Sequence, residues 1–426
     1  MTIRSINTSG LPQGVLDTVN QLLFDAGQVG GNLPFSDFSK IWQDSAGTTQ
    51  YTAVEQYVGK IIDKSPNALA FTQATSAARP VVSARVNLLT KTEQLSEAVW
   101  VKSGLGTGSA PSVTSNAALA PDGTLTADHV TLAIGGGTSS SDWSWLYQNL
   151  PRTAGVSENF AIWVKAATPA DVGRGVVLTG VSVQMVTLSA EWVRYELPAV
   201  VTNSQTFSYG VRLRGNETPG ATDVSFHLWG ASLTLATDAH LPYQRVNTPT
   251  DYDTAGFPNY SKFDGIDDNI VSAAGGGGTA GIYYCGAVRF NKVGAAQTIF
   301  SDAGTNSGYK LQLTAANQLQ ISAGNGTAFT AINTTDVFAL GDVSLCELWD
   351  DGTNIGVRLG EGTPVTVARP VVTAGTAQIT LGKDNNAASS YAGINMFEPV
   401  WRYGAMPNQT QREAIRAICR SKARIV

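Results

Sequence analysis

The stretch Phe263-Asp264-Gly265-Ile266-Asp267-Asp268 holds a tight acidic cluster, and its partner is an earlier stretch, Ala70-Phe71-Thr72-Gln73-Ala74-Thr75-Ser76-Ala77-Ala78-Arg79-Pro80. Residues 81–262 separate the two stretches. That interval is long enough to form a complete domain of its own. The relation between the two stretches therefore decides how the chain divides into domains.

The two stretches resemble consecutive parts of one segment, approximately ATQATAANRP and FDGVDD, in concanavalin A-like (laminin G-like) sandwiches of bacteriophage structural proteins. In that family the first part runs almost directly into the second. The resemblance implies that one β-sandwich is inserted into another, at a loop where the ends of the insert lie close together. It also implies a virion protein and not an enzyme.

Other segments carry the same resemblance. Residues 37–49 are similar to the opening of many phage tail and head accessory proteins, and residues 58–65 continue it. The chain departs from the family pattern at residues 32–35 and at Pro66, and the first departure puts in doubt any metal or ligand role for that loop.

The interval itself resembles the jelly roll of carbohydrate-binding modules in phage fibres. The matching segments span nearly all of residues 84–248, and they are Asn87-Leu88-Leu89, Trp100, residues 120–128, residues 159–166 and residues 224–233. Residues 207–214 alternate between apolar and other side chains, the period of two that indicates a half-buried strand.

Length and composition agree with this organisation. A chain of 426 residues is too long for one core. Charged residues make up 14%, below the roughly 25% of ordinary globular proteins, and Gly, Ser, Thr, Asn and Ala replace them, as in short strands and tight turns. The predicted fold is all-β: two antiparallel β-sandwiches, with a jelly roll inserted into a laminin G-like sandwich, and short N-terminal and C-terminal helices.

The chain is predicted to divide into four parts: an attachment segment with a short helix (1–31), the first part of the laminin G-like sandwich (32–82), the inserted jelly roll (83–249), and the remainder of the sandwich with the C-terminal helix (250–426). Strands of the last part are expected at 282–290, 296–301, 308–314, 317–323, 343–350, 354–359 and 376–382.

The N-terminal helix is predicted over residues 11–24, with an apolar stripe formed by Val15, Leu16, Val19, Leu22 and Leu23. Such a stripe must be buried. It either packs on its own sandwich or attaches the protein to another virion component or to its own copies, and we take these five residues as candidate attachment residues.

The C-terminal helix is predicted from the cap Asn408 to Ser421. Its basic residues are expected to line a solvated face, and they are Arg412, Arg416, Arg420, Lys422 and Arg424.

Charge and targeting signals exclude several classes of protein. A formal net charge of −5 argues against a nucleic-acid partner. The N-terminus lacks a signal-peptide pattern and no apolar run of membrane length occurs. The spacing of the three cysteines, Cys285, Cys346 and Cys419, indicates neither a metal site nor a disulfide framework. We therefore predict that they are core residues of a chain made in a reducing cytoplasm. We expect the chain to be made in the host cytoplasm and to be located at the virion surface.

Asp264, Asp267 and Asp268 are the candidate metal ligands. Their spacing belongs to the laminin G-like segment, so they either cap a turn or, as in some relatives, lie near calcium. Catalysis of glycoside cleavage needs two carboxylates that face each other across a groove. The sequence indicates no such pair, so we predict no catalytic residues and no cofactor, with calcium at the three aspartates as the open alternative. His129, His227 and His240 are too scattered to indicate a metal triad.

Trp143, Trp145 and Tyr147 alternate along one segment, so a strand would present all three on one face. Aromatic rings in a row can stack on the apolar faces of sugar rings. The other interpretation places them in the core, and we favour it because Leu146 is then the single apolar residue on the opposite face.

The resemblance to phage structural proteins therefore implies a non-enzymatic phage virion accessory protein, a tail fibre, tail or capsid-surface component that mediates host attachment through lectin-like, carbohydrate-binding domains. Its partners would be other virion proteins and a host-surface glycan, and many copies or a homo-oligomer are expected. Two alternatives remain: a purely structural capsid decoration or cementing protein, and a polysaccharide depolymerase.

Overall fold

A computed structural model describes residues 13–24, 28–219, 221–238, 243–247, 258–275, 281–375, 377–385 and 390–425. The chain forms two compact units, an outer unit (Met1–Ala84 with Ala255–Val426) and an inserted unit (Arg85–Thr254). Both are built from antiparallel sheets. The predicted fold class, one sandwich inserted into another, is thereby confirmed.

Before the insertion lie α1 (Gln13–Phe24), β1 (Gly30–Asn32), β2 (Ile41–Trp42), β3 (Lys60–Ile62), β4 (Ala70–Thr72) and β5 (Val81–Ser83). The inserted unit contains β6 (Val101–Leu105), β7 (Ser109–Ala118), β8 (Ala127–Ala133), β9 (Trp143–Arg152), β10 (Ser157–Ala166), β11 (Gly175–Thr179), β12 (Val183–Thr187), β13 (Val193–Val200), β14 (Gln205–Arg214) and β15 (Asp223–Leu235).

The outer unit then continues with β16 (Tyr260–Asp264), β17 (Ile270–Gly275), β18 (Ile282–Phe290), β19 (Gln297–Ser301), β20 (Ser307–Leu313), β21 (Gln318–Asn325), β22 (Phe329–Val337), β23 (Val343–Asp350), β24 (Asn354–Leu359), β25 (Val365–Ala368), β26 (Gln378–Leu381), β27 (Gly393–Tyr403) and α2 (Gln409–Ala423). No helix in the described parts of the chain is both long and apolar enough to cross a membrane.

In the outer unit, strands from both sides of the insertion share the two sheets. One sheet has the order β25-β24-β23-β18-β27-β16-β5, and β1 also pairs with β27; the other has the order β2-β3-β4-β17-β26-β19-β20-β21-β22. The pairs β5 with β16 and β4 with β17 join the first stretch of the sequence to the second. The core between the sheets includes Phe71, Phe263, Tyr309 and Trp401 from both parts of the chain.

Strand β18 is buried along its whole length because both of its faces are covered. Ile282, Tyr284 and Val288 point into the core between the sheets. Tyr283 and Cys285 lie on the other face, under the two helices. A strand that is buried on both faces has no exposed side to keep polar, which is why its sequence shows no alternation.

Helix α1 packs on this covered face. Val19 and Leu23 are buried, and Leu22 is partly buried in the same cluster. These three side chains therefore pack against the protein's own core, and their part in attachment stays a prediction. The side chains of Val15 and Leu16, the other two candidate attachment residues, lie outside the described residues.

Helix α2 begins with a capping box, in which Asn408 Oδ1 accepts from the Gln411 backbone N–H and the Gln411 side chain accepts from the Asn408 N–H, both at 2.9 Å. The prediction that its basic residues line a solvated face is wrong for Arg416 and Lys422, which are buried. The physical reason is that this helix face meets buried carboxylates of the sheet, and a buried charge needs a partner.

Ion pairs balance the charges of both cations. Arg416 lies 2.7 Å from Glu347 and 2.9 Å from Glu361, and Lys422 lies 3.1 Å from Glu398. The three cysteines are free and buried, as predicted for core residues.

The inserted unit is a sandwich of two five-stranded sheets, with strand orders β13-β10-β15-β8-β7 and β12-β11-β14-β9-β6. Its core combines Phe160 and Ile162 of β10, Phe226 of β15, Leu146 of β9 and Val211 of β14. The second sheet therefore has one face in the core and one face outside.

Candidate saccharide-binding face

The outer face of the sheet β12-β11-β14-β9-β6 carries the aromatic row of β9. Leu146 is fully buried in the core, whereas Trp143, Trp145 and Tyr147 are partly exposed on the other side. Our prediction that these three rings form the core is therefore wrong. The alternative, a row of rings on the outside, is what the structure contains.

The prediction failed because the inward face of β9 is partly polar. Gln148 is buried there and pairs with Thr90: its Oε1 accepts from the Thr90 backbone N–H at 3.2 Å, and its Nε2 donates to the Thr90 carbonyl at 2.5 Å. Ser144, on the same inward face of β9, is buried as well. The faces of a strand are normally assigned by placing its apolar and aromatic side chains in the core and its polar side chains outside. In β9 two polar side chains lie in the core and the aromatic side chains lie outside.

Neighbouring strands fix the orientation of the rings. Trp145 Nε1 donates to Thr179 Oγ1 of β11 at 3.1 Å, and Trp143 Nε1 donates to Ser103 Oγ of β6 at 3.4 Å. The ring centroids of Trp145 and Tyr147 are 4.4 Å apart, with the planes tilted by 40°. The rings thus form a fixed row along β9.

Strand β14 places an arginine opposite each tryptophan. Arg212 is the cross-strand partner of Trp145 and Arg214 that of Trp143. The guanidinium carbons lie 5.3 Å and 5.9 Å from the respective ring centroids, within the range of a cation–π interaction. Together the four side chains line a cleft of about 110 Å³.

The arrangement suits one chemistry in particular. The rings offer flat apolar surfaces, and the guanidinium groups beside them offer fixed hydrogen-bond donors. The cleft is far smaller than the roughly 300–1,000 Å³ of pockets that enclose a drug-sized ligand. It can therefore contact one face of a ligand such as a sugar ring but not enclose it.

The same face continues as an apolar surface towards its edges. Val183 and Met185 of the edge strand β12 and Leu105 of β6 are each about half exposed. Sequence reasoning missed Arg212 and Arg214, although the alternation over residues 207–214 already places both on the side opposite to Tyr209 and Val211.

The acidic turn of the outer unit lies elsewhere. Oxygens of Asp264, Asp267 and Asp268 approach within 4.8 Å of one another, so these residues could hold a cation. Asp264 Oδ1 already accepts from the backbone N–H groups of Ile266, Asp267 and Asp268, and Asp268 Oδ2 accepts from the Asp264 N–H. Their observed contacts thus hold the turn between β16 and β17, and calcium binding stays a prediction.

Burial raises the pKa of Asp268 to about 6, and the charges of Asp264 and Asp267 add to the rise. The folded state therefore holds this proton more tightly than the unfolded state. The stabilising effect is complete below pH 3.8 and is lost as the pH rises through 6.

Asp268→Asn should consequently raise the free energy of unfolding by about 1 kcal/mol at pH 7.5, once solvent screening is allowed for, and should have little effect at pH 3.5. Urea unfolding in EDTA at the two pH values measures this difference. A loss of stability at pH 7.5 would contradict it. Added CaCl₂ that stabilises the native protein more than the variant would show that the cluster binds calcium.

The histidines form no triad within the described residues. His129 and His227 face each other across β8 and β15 on the outer face of the other sheet, with ring centroids 5.5 Å apart, and Trp192 lies 6.4 Å from His227. Burial, followed by the charges of His129 and Lys165, lowers the pKa of His227. His240 lies outside the described residues.

No family model matches the sequence, and no curated protein matches it. Among solved structures, the chain is similar to domains LG4-5 of the mouse laminin alpha1 chain at 10% identity, over 64% of this chain and 89% of that chain, with a TM-score of 0.29. The receptor binding domain of botulinum neurotoxin type G matches at 11% identity over 39% of this chain and 43% of that domain, with a TM-score of 0.29.

Domain 4 of AbnA, a GH43 extracellular arabinanase from Geobacillus stearothermophilus solved in complex with arabinotriose, matches at 15% identity over 37% of this chain and 76% of that chain, with a TM-score of 0.28. The chain spans less than half of the neurotoxin domain. At such identities and TM-scores these similarities carry no argument about ligand or activity.

Proposed function

We propose that this chain is a non-enzymatic saccharide-binding protein of a phage particle, and that the inserted unit contacts host-surface glycans through the outer face of β9 and β14. The observation that carries the proposal is the outward row Trp143, Trp145 and Tyr147 beside two arginines. Large aromatic side chains kept at a surface mark interaction sites more often than isolated apolar residues do.

The shape of the site indicates how such binding would work. A shallow cleft contacts one face of a sugar and gives weak affinity at each site. Many copies on one particle would raise the overall affinity by 10²–10⁴, roughly, without any new contact. The virion setting rests on the resemblance of residues 37–49 and 263–268 to phage structural proteins.

The absence of catalysis is part of the proposal. In the acidic turn, oxygens of Asp264 and Asp268 accept backbone hydrogen bonds that hold the chain, so these two carboxylates serve the turn. We expect purified protein to release no reducing ends from host polysaccharide. Measurable release would favour the depolymerase alternative.

A decoration protein that contacts only virion components is the second candidate. The exposed Val183 and Met185 on edge strand β12 favour it, because an apolar edge strand is a surface on which another protein can pack. Locating the chain in intact particles and measuring its glycan binding distinguish the saccharide-binding protein from the decoration protein.

The test uses the full chain on a panel of immobilised bacterial surface polysaccharides. Trp145→Ala should weaken binding at least about tenfold, because it removes the central ring of the stacking surface. Trp192→Ala is the matched control and should bind normally, because this partly buried tryptophan lies immediately before β13 of the opposite sheet. Binding that survives in Trp145→Ala, or no binding of any glycan by the native protein, would contradict the proposal.

A further inference from the structure

The two arginines of the cleft differ in how their charge is balanced. Arg212 forms a two-point ion pair with Glu217: its Nε donates to Oε2 at 2.9 Å and its Nη2 donates to Oε1. Arg214 instead donates from Nε to the backbone carbonyl of Ser140 at 2.7 Å. Across the described ranges of the chain, no carboxylate forms an ion pair with Arg214.

Asp142 is the acidic residue next to Trp143 in the chain, and its oxygens already have donors. Oδ1 accepts from the Thr107 N–H at 3.0 Å, and Oδ2 accepts from the N–H and hydroxyl of Ser139 at 2.9 and 2.8 Å. These hydrogen bonds hold the loop beside the cleft. The cleft thus keeps one positive charge, on Arg214, that no described carboxylate pairs with.

The position of Arg214 determines what its charge can bind. Its guanidinium lies beside the Trp143 ring, and the Nε bond to Ser140 fixes the group while leaving the Nη donors for a ligand. A guanidinium presents parallel N–H donors that match two oxygens of one oxyanion. A sugar stacked on Trp143 and Trp145 would bring a substituent on its ring edge to these donors.

We propose, as an extension of the saccharide-binding function above, that the cleft selects a sugar that carries an oxyanion, a uronic-acid carboxylate or a sulfate ester. Arg214 is the specificity residue, and the tryptophans supply the stacking surface common to charged and neutral sugars. Arg212, whose charge Glu217 already balances, contributes little to the selection.

The experiment measures binding of the full chain to three oligosaccharide probes of matched length: oligogalacturonate, sulfated galactan fragments and neutral galactan fragments. We expect at least tenfold tighter binding of one or both anionic probes, and their comparison identifies the source of the oxyanion. Arg214→Gln should weaken binding of the preferred anionic probe about tenfold and should weaken binding of the neutral probe by a clearly smaller factor. The preference should weaken as NaCl is raised.

Arg194→Gln, which changes an arginine of the opposite sheet that is paired with Glu196, is the control and should keep the preference. Equal binding of all three probes by the native protein would overturn the charge selection. If Trp145→Ala then loses binding of all three probes, the proposed saccharide site is still supported. An equal loss of all three probes in Arg214→Gln would also overturn the charge selection, because it would assign Arg214 to the shape of the cleft. If the native protein binds none of these probes but binds other glycans of the panel, the selection is wrong and the proposed function stands.

Discussion

Arg416→Ala should lower the free energy of unfolding by about 3–5 kcal/mol, the largest effect that we expect from a single charge in this protein. The Arg416 side chain is 2% exposed, and its Nη1 donates to Glu347 Oε2 at 2.7 Å under helix α2. Glu347 is itself buried in β23, and its next cation, Arg412, lies 3.9 Å away. Removal of Arg416 would leave a buried carboxylate without its main partner.

Arg420→Ala is the matched control, one turn further along the same helix. Arg420 is about one-third exposed and contacts the exposed Glu361 at 3.1 Å, so its loss should cost about 0–1 kcal/mol. Urea unfolding of both variants measures the difference. Equal stabilities would show that α2 does not pack through Arg416 as described.

Leu146→Ala should destabilise the protein by about 2–5 kcal/mol, the range for a buried leucine that leaves a cavity. Leu146 is 0% exposed and lies in the core of the inserted unit. Trp145→Ala, at the adjacent position, should cost only about 1 kcal/mol, because its ring lies on the outer face against Tyr147 and Arg212.

Comparing Leu146→Ala with Trp145→Ala tests which face of β9 packs in the core. Trp145 has the larger side chain, so a core location for it would reverse the order and cost about 3–5 kcal/mol. Thermal and urea unfolding of the two variants decide between the alternatives. A larger loss in Trp145→Ala than in Leu146→Ala would contradict the observed orientation and remove the basis of the saccharide site.

Much of the outer unit was predictable because its strands alternate or are bounded by turn residues. The expected strands at 282–290, 343–350 and 354–359 coincide with β18, β23 and β24, and that at 317–323 overlaps β21. The long central strand β27 was not predicted. It contains Pro399, and a proline within an apolar segment argues against a central strand.

A bulge makes β27 possible. Cys285 pairs with Val400 and Ala287 with Phe397, so Glu398 and Pro399 together lie opposite the single residue Gly286. Glu398 has a positive φ of 32°, and a Cβ added to Gly286 would lie 3.0 Å from the Pro399 side chain. The proline thus sits at a position where the ladder is already interrupted. This pairing depends on a strand distant in sequence, which local patterns cannot reveal.

The site was predictable only in part. The spacing of Trp143, Trp145 and Tyr147 correctly placed three rings on one face, but their side of the sheet depends on what the opposite face packs against. Gln148 can be buried because Thr90, distant in sequence, supplies its hydrogen bonds. The burial of Arg416 likewise depends on Glu347 in another element. Partners of this kind come from tertiary structure and not from a local pattern.

The central claim, that saccharides bind on the outer face of β9 and β14, is tested most directly by nuclear magnetic resonance of the indole N–H groups. The chain has nine tryptophans, and ¹⁵N-tryptophan labelling of the full chain, with assignment by single Trp→Phe variants, gives each a separate signal. Titration with the tightest-binding oligosaccharide should shift the signals of Trp143 and Trp145 and leave those of Trp163 and Trp192 on the opposite sheet unchanged. Shifts confined to Trp163 and Trp192, with Trp143 and Trp145 unaffected at saturation, would contradict it.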